Sequence, residues 1–427
     1  MEKNWIKNFN ELATTDNRKL ALTIVEAGLE SINTEIAILN SLKLQNNVLS
    51  ILGESFDLAK FKKIKIIGFG KTSGKAALAL EKILGDKITE GVILGPSEIN
   101  SKYIKAFVGT HPKPSEINFQ ASKKIVEIIE NSEENDLIIA VVSGGGSAYL
   151  CYPENEYIQG AKLYDEFLKS GQSRIELNTV WKHLSLLKGG GLAKIAYPAT
   201  ILGLIFSDIP GSHFYDVASG PTYKDKTARA DAEKIISQNN LGKFDLIETP
   251  KENKYFEKVH NFVLVSNKTA VEAMEKKGRE LGLRVKVVST ELYNEIGGAL
   301  KKIFGAQGEN TVVLGAGEPA IKVLKKGGIG GRNLHLGLQA LQMKMIDQNS
   351  VFISFASDGL DNSDVAGAIA DKNTAEKSGK LGLNADDYLD RFDSYNFFQK
   401  TGDSIRTGPT GANVSDLMIL LTKKNEK

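Results

Sequence analysis

The chain has 427 residues, too many for one ordinary domain, and 41% of them are hydrophobic, enough for sizeable cores. Its 54 Lys and Arg nearly balance 52 Asp and Glu, and the net charge of +2 excludes any whole-chain electrostatic case for nucleic acid or an anionic membrane as partner. The single cysteine, Cys151, excludes an intrachain disulfide and a cysteine-based metal site, and fits a reducing compartment.

The opening residues, MEKNWIKNFNELATTDNRK, carry charges throughout and no apolar core of signal-peptide length, and no apolar run approaches the length of a membrane span. The expected location is therefore the cytoplasm. From about Asn17 to Leu44 apolar positions recur at helical spacing, which predicts a long helix. Strands and helices then alternate. KIKIIGFG (63–70) reads as a strand ending in glycine, 74–84 as a helix, and VILG (92–95) and AFVGT (106–110) as short strands. Residues 115–131 read as a helix with Ser115 as its N-cap. LIIAVVSGGG (137–146) is apolar without alternation, as expected of a strand covered on both faces. Residues 178–196 read as a helix, and ATILGLIFSDIPG (199–211) as another buried strand.

The polar stretch 239–258, broken by proline, marks a domain boundary, which divides the chain into 1–245 and 255–427. The rhythm restarts with NFVLVSN (261–267) and ends with DLMILLT (416–422). This alternation predicts two parallel-sheet α/β domains, with ligands at the carboxyl ends of the strands and the site in an interdomain cleft. Ser143, Asp208, Asn267, Glu318 and Asp358 stand at those strand ends.

Glycine clusters carry the chemistry. GFGKTSGKAA (68–77) opens a helix after a strand, where backbone amides and Lys71 favour an anion. It is neither a Walker A loop, whose first glycine and last position fall on Phe69 and Ala76, nor a dinucleotide fingerprint, whose third glycine falls on Ser73. In VVSGGGSA (141–148), Ser143, Gly144, Gly145, Gly146 and Ser147 form a candidate nest of N–H groups for phosphate or carboxylate. Lys182, His183 and Lys188, in TVWKHLSLLKGGG (179–191), face either the cleft or solvent, and a lone helical histidine is more often packed than catalytic. Arg332 follows the glycines of GGIGGRN (327–333) and starts a helix, well placed for bidentate contact with phosphate or carboxylate. FASDGLDNSD (355–364) lacks the spacing of a calcium loop; Asp358 is a candidate Mg²⁺ ligand or base, and Asp361 and Asp364 are candidate ligands or helix caps. In TGPTGANVSDL (407–417), Gly408, Thr410 and Gly411 are candidate ligand contacts.

Taken in order, GFGKTSGKAA, GTHPKPSE (109–116), VVSGGGSA, LNTVWKHLSLLKGG (177–190), SDIPG with ASGPT, GGRN, SDGLDNSD and TGPTGANVSDL resemble the class II, or MOFRL-type, glycerate 2-kinases from about residue 15 onward. The resemblance implies an ATP- and Mg²⁺-dependent kinase making 2-phosphoglycerate, with a Rossmann-like first domain and a MOFRL-like second. Lys71 and Arg332 match the family's active-site lysine and arginine. The chain departs from the usual pattern at Trp181, Ser212, Leu334 and His335, which bears on the exact acceptor acid.

Phosphoryl transfer needs positioning and charge neutralisation, so Lys71 and Arg332 are assigned to the transferring phosphate, with the acceptor carboxylate as the other option for Arg332. Asp208 and Asp358 are assigned as Mg²⁺ ligands or as the group orienting the acceptor hydroxyl. The glycine loops supply backbone donors to the bound substrates. The competing readings are a kinase for a related 2-hydroxy or sugar acid, a hydroxypyruvate reductase, and a non-catalytic acid-binding regulator. The expected partners are ATP and a small hydroxy acid, with neither nucleic acid nor membrane, and the expected state is a monomer or homodimer.

Overall fold

The computed structural model describes residues 4–170, 174–323 and 327–424. The segment expected as one long helix is two, Asp16–Ser31 and Thr34–Ser41, followed by an antiparallel meander of β1 (Leu42–Gln45), β2 (Val48–Ile51) and β3 (Glu54–Asp57). The β1–β2 turn places Asn46 and Asn47 at φ 49° and 65°, a conformation that Asn tolerates and that matches strand twist.

The first large sheet holds β4 (Lys63–Phe69), β5 (Glu90–Gly95), β6 (Ile104–Val108), β7 (Asp136–Ser143), β8 (Thr200–Phe206) and β9 (Val259–Val265). Their spatial order is β6-β5-β4-β7-β8-β9, and the pairs from β6 to β8 are parallel. This is the Rossmann order, and it reverses between β4 and β7, where ligands of such sheets bind. Every residue of β7 is buried, which is why its sequence shows no alternation. Helix Glu116–Glu130 begins after Ser115 as expected, but the Ser115 hydroxyl donates to Asn118 Oδ1 (3.1 Å) and caps no amide. The helix expected over 178–196 is interrupted. Arg174–Lys182 and Gly191–Ala196 are separate, because Gly189 and Gly190 adopt φ 54° and 89° between them.

The second sheet holds β10 (Arg284–Leu292), β11 (Thr311–Gly317), β12 (Ser350–Ala356), β13 (Gly367–Asp371), β14 (Ser404–Ile405) and β15 (Asp416–Thr422), in the order β10-β11-β15-β12-β13-β14. The α/β class holds in both units, but this sheet is mixed. Only β10 and β11 run parallel; β15 lies antiparallel between β11 and β12, and β13 and β14 continue antiparallel. An all-apolar strand such as DLMILLT is buried on both faces in either direction, so its composition does not reveal polarity.

Two compact units result, and both differ from the division at 245–255. One comprises residues 34–209 and 213–264; the other comprises 1–33, 210–212 and 265–427. NFVLVSN, read as the start of the second domain, supplies the last strand of the first sheet. The helix Asp16–Ser31 belongs with the C-terminal half. Its Arg18, fully buried, binds both oxygens of Asp371 (2.6 and 2.7 Å) and Asp403 (2.7 Å). Its Gly28 lies so close to Met274, on helix Asn267–Glu280, that a Cβ there would overlap the methionine side chain.

Candidate active site

In the first sheet the chain leaves β4 through Gly70 (φ 107°) and enters helix Ser73–Leu84. The Lys71 amide donates to Gly144 O (2.9 Å) and the Thr72 amide to the Ser143 hydroxyl (3.2 Å), which itself donates to Phe69 O (3.1 Å). The Ser73 amide donates to Gly70 O (3.3 Å). The amides of Lys71 and Thr72 are therefore spent on fastening this turn to the end of β7, and that of Ser73 on closing the turn. The expectation that they cradle an anion is corrected, and what the turn offers is the exposed Lys71 side chain.

The loop after β7 keeps its donors. Ala148 N and Tyr149 N both donate to Gly145 O, so the amides of Gly145, Gly146 and Ser147 precede the first bonded turn and lack an intrahelical acceptor. Gly145 is left-handed (φ 79°), as a nest requires. Gly144 has a steric reason: a Cβ there would overlap the carboxylate of Asp208, which stands just beyond β8. Lys71, Ser143–Ser147 and Asp208 thus converge at the switch point. The Ser147 hydroxyl is bonded to Ser219 Oγ (2.7 Å), which leaves its amide as its contribution.

His111 joins this group, although only the motif containing it was noticed in the sequence. Its ring stacks on Tyr149 (centroids 5.7 Å apart), with Nε2 turned toward Gly145. Desolvation of the ring, and then the charge of Lys71, hold its imidazole down at about 4, so it is neutral at physiological pH. Its position after β6, at the carboxyl edge of the same sheet, was the available signal.

The cleft-or-solvent reading of Lys182 and Lys188 in the 179–191 segment is corrected, because both are buried among their own partners. Lys182 is buried against Asp216 (2.8 Å) and Asp225 (3.3 Å). Lys188 is buried against Glu156 and Leu150 O. His183 is fully buried, with Nδ1 donating to Ile247 O (2.8 Å). Trp181 sits in a core with Leu163, Val180, Leu184, Ala232 and Leu241. This departure from the family pattern therefore belongs to the core. Trp181→Arg is expected to lose at least about 3 kcal/mol of stability, because it removes a large core side chain and buries a charge. Urea denaturation checks this, and a variant as stable as the native protein would place Trp181 elsewhere.

In the second sheet, the antiparallel setting of β15 brings its first residue, Asp416, level with Gly317 and Ala356, the last residues of β11 and β12. Arg332 begins helix Arg332–Gln342 beside them. Its Nε donates to Asp416 Oδ2 (2.9 Å), and its Nη2 lies 3.8 Å from Glu318 Oε2. Burial opposes its charge, but Asp416, Glu318 and Asp361 outweigh burial and raise its affinity for the proton. Asp416 does not recover its own cost. It is buried almost completely and has Asp361 nearby, and it rises to about 7 against the opposing pull of Arg332 and Asn333.

Asp361 is a cap: Asn333 N (3.2 Å) and Leu334 N (2.8 Å) donate to its carboxylate. Asp358 is only partly buried, with one oxygen accepting from Leu360 N (3.1 Å) and its carbonyl accepting from Thr410 N (3.0 Å). Asp358 and the Gly408–Gly411 loop are thus brought together. The Thr410 hydroxyl is committed to Ser357 O (2.7 Å), so it shapes the loop. Gly408 and Gly411 are left-handed (φ 65° and 77°). Of the departures, Leu334 is core, His335 stacks on Phe392 (5.7 Å) and Ser212 is exposed.

Two family models match the chain. A domain of unknown function, DUF4147, covers residues 20–247, and the MOFRL family covers 311–416. The chain belongs to this DUF4147–MOFRL family. A family member from Pyrococcus horikoshii, named glycerate 2-kinase, is 32% identical over 95% of this chain and 97% of its own length. One from Thermotoga maritima, named D-glycerate 2-kinase, is 31% identical over 94% and 97%. The crystal structure of glycerate kinase from T. maritima superposes with a TM-score of 0.83 at 29% identity, covering 95% of this chain and 99% of that one. An Agrobacterium vitis relative, 28% identical over 95% of this chain and 94% of its own, is named putative hydroxypyruvate reductase. Among the described residues no helix is long and apolar enough to cross a membrane.

Proposed function

We propose that the chain is an ATP-dependent kinase that phosphorylates the 2-hydroxyl of D-glycerate to give 2-phosphoglycerate. The observation that carries this reading is kinship along nearly the whole length, in sequence and in fold. The acceptor oxygen attacks the γ-phosphorus, the bond to the β-phosphate oxygen breaks, and ADP leaves. The hydroxyl proton passes to a carboxylate or to solvent.

The chain's own part is charge and position. The amides of Gly145, Gly146 and Ser147 bind anionic oxygens, and Lys71 adds a mobile positive charge beside them. Arg332 offers its guanidinium to the transferring phosphate or to the glycerate carboxylate. Gly408 and Gly411 shape the loop that backs Asp358. Neutral His111 serves as a hydrogen-bonding edge next to Lys71.

Among the described residues no group of three or more acidic, His or Cys side chains could hold a metal. A resident all-protein cage therefore does not fit. A magnesium ion that enters with the nucleotide does fit, because such ions need one or two carboxylates beside phosphate oxygens. Bound there, it would neutralise the β- and γ-phosphate charge. Asp358, or else Asp208, would hold it. Asp358→Asn is expected to raise the magnesium concentration needed for half-maximal rate; an unmoved requirement leaves Asp208 as the ligand.

The reductase reading fails on Ser73. Its buried hydroxyl donates to Gly70 O (2.9 Å) and Leu94 O (3.1 Å), filling the place where a dinucleotide fingerprint needs glycine. Incubation with ATP, Mg²⁺ and a panel of hydroxy acids, followed by phosphorus NMR, tests the proposal. A 2-phosphoglycerate product is expected. A 3-phosphoglycerate product, or NADH oxidation with hydroxypyruvate and no ATP use, would overturn it.

A further inference from the structure

We infer that Asp416 is a positioning residue for the reaction, holding Arg332 by the Nε edge of its guanidinium so that the Nη groups are left for the anion. The inference rests on the kinase reading above.

The two carboxylate oxygens of Asp416 have separate duties. Oδ2 accepts from Arg332 Nε (2.9 Å), and Oδ1 accepts from Asn333 Nδ2 (2.8 Å). Asn333 is itself pinned: its Oδ1 accepts from Ser354 Oγ (2.6 Å), and its Nδ2 also reaches Asp361 Oδ1 (3.1 Å). Asn333, Ser354, Asp361 and Asp416 are all buried, whereas the Arg332 side chain keeps 36% of its surface exposed. The frame is buried and held by hydrogen bonds, and it presents the Arg332 side chain to solvent.

A carboxylate heading the apolar run Leu417–Leu421 is a poor way to gain stability. A buried ion pair often contributes no more than apolar residues of the same size. Asp416 shares its one cation, Arg332, with two further acids, Asp361 and Glu318, and Asp361 also acts against its charge. Orientation is what the arrangement does supply. Arginine has five donors in a planar fork, and fixing Nε leaves the Nη pair to bind a phosphate or carboxylate with two parallel hydrogen bonds.

Asp416→Asn tests this, because an amide has one acceptor oxygen where the carboxylate has two. The donors from Arg332 and Asn333 then compete for it, and one is lost. The expected result is a fall in kcat of about 100-fold, as for a reacting group displaced by about 1 Å, with the KM for ATP little changed. Added guanidinium is expected to restore part of the activity of Arg332→Ala but none in the Arg332→Ala/Asp416→Asn double variant. A purely structural aspartate would not make rescue depend on its presence. Should Asp416→Asn fail to fold, Asp416→Glu carries the test: it keeps the charge and both acceptors but shifts the guanidinium by a methylene, and kcat should again fall. Native-like kcat in a folded variant, or equal guanidinium rescue with and without Asp416, would overturn the inference while leaving the kinase reading intact. A native protein inactive on every acid of the panel would overturn both.

Discussion

Lys71→Ala is expected to lower kcat for glycerate phosphorylation by about 100-fold or more, the scale of losing one preorganised electrostatic donor. The backbone of Lys71 is fastened to Gly144, but its side chain is exposed and packs into no core. Removing it should therefore leave the melting temperature near the native value. A local control comes from His111. Desolvation, the larger cause, would still hold its imidazole down in the variant, but the contribution of the Lys71 charge would be gone. The His111 imidazole, at about 4 in the native protein, should thus titrate higher while staying below its ordinary value, and proton NMR reads this directly. A folded variant with the His111 shift and unchanged turnover would remove Lys71 from the chemistry while confirming its location.

The first sheet was legible because parallel strands covered on both faces appear as unbroken apolar runs, and its turns are marked by glycine. β4, β7 and β8 were read with their polar ends, and Lys71, Ser143–Ser147 and Asp208 fell at one sheet edge as expected. What the glycines do was less legible. GFGKTSG and SGGGS look equivalent in sequence, yet the Lys71 and Thr72 amides of the first are consumed in holding the turn to the second. Hydrogen-bond bookkeeping between loops far apart in the chain leaves no mark on either motif.

Asp416 shows a different limit. If the second sheet were parallel, the first residue of β15 would stand at the opposite edge from the carboxyl ends of β11 and β12, far from any ligand. Its antiparallel setting reverses this, and a carboxylate that looked like the start of a core strand becomes the partner of Arg332. The signal was present in the charge preceding five apolar residues, but its meaning depended on strand direction. The helix Asp16–Ser31 was likewise misplaced. Its buried Arg18 pairs with Asp371 and Asp403, more than 350 positions away, so no local pattern could assign it to the C-terminal half.

Arg332→Ala should reduce kcat/KM for D-glycerate by about 100- to 1,000-fold, and it should also change how stability depends on pH. The second effect follows from Asp416. Burial, the nearby Asp361 and the opposing pull of Arg332 together set its carboxyl at about 7, above the ordinary 3.8. A carboxyl raised in the folded state holds its proton there after the unfolded chain has released it. Its effect on stability is therefore most favourable below about pH 4 and declines as pH rises toward 7, then levels off. Without Arg332 the strongest opposing charge is absent, so the folded value moves higher and the decline continues beyond pH 7. Urea midpoints of the native protein and of Arg332→Ala between pH 5 and 9 should diverge progressively, with the variant relatively weakest at the alkaline end. Arg332→Lys should show the same activity loss in milder form, since an ammonium restores charge but not the planar fork. Parallel urea curves for native and alanine variants would mean that Arg332 does not neutralise Asp416 in solution, and the buried frame that presents its guanidinium would lose its physical basis.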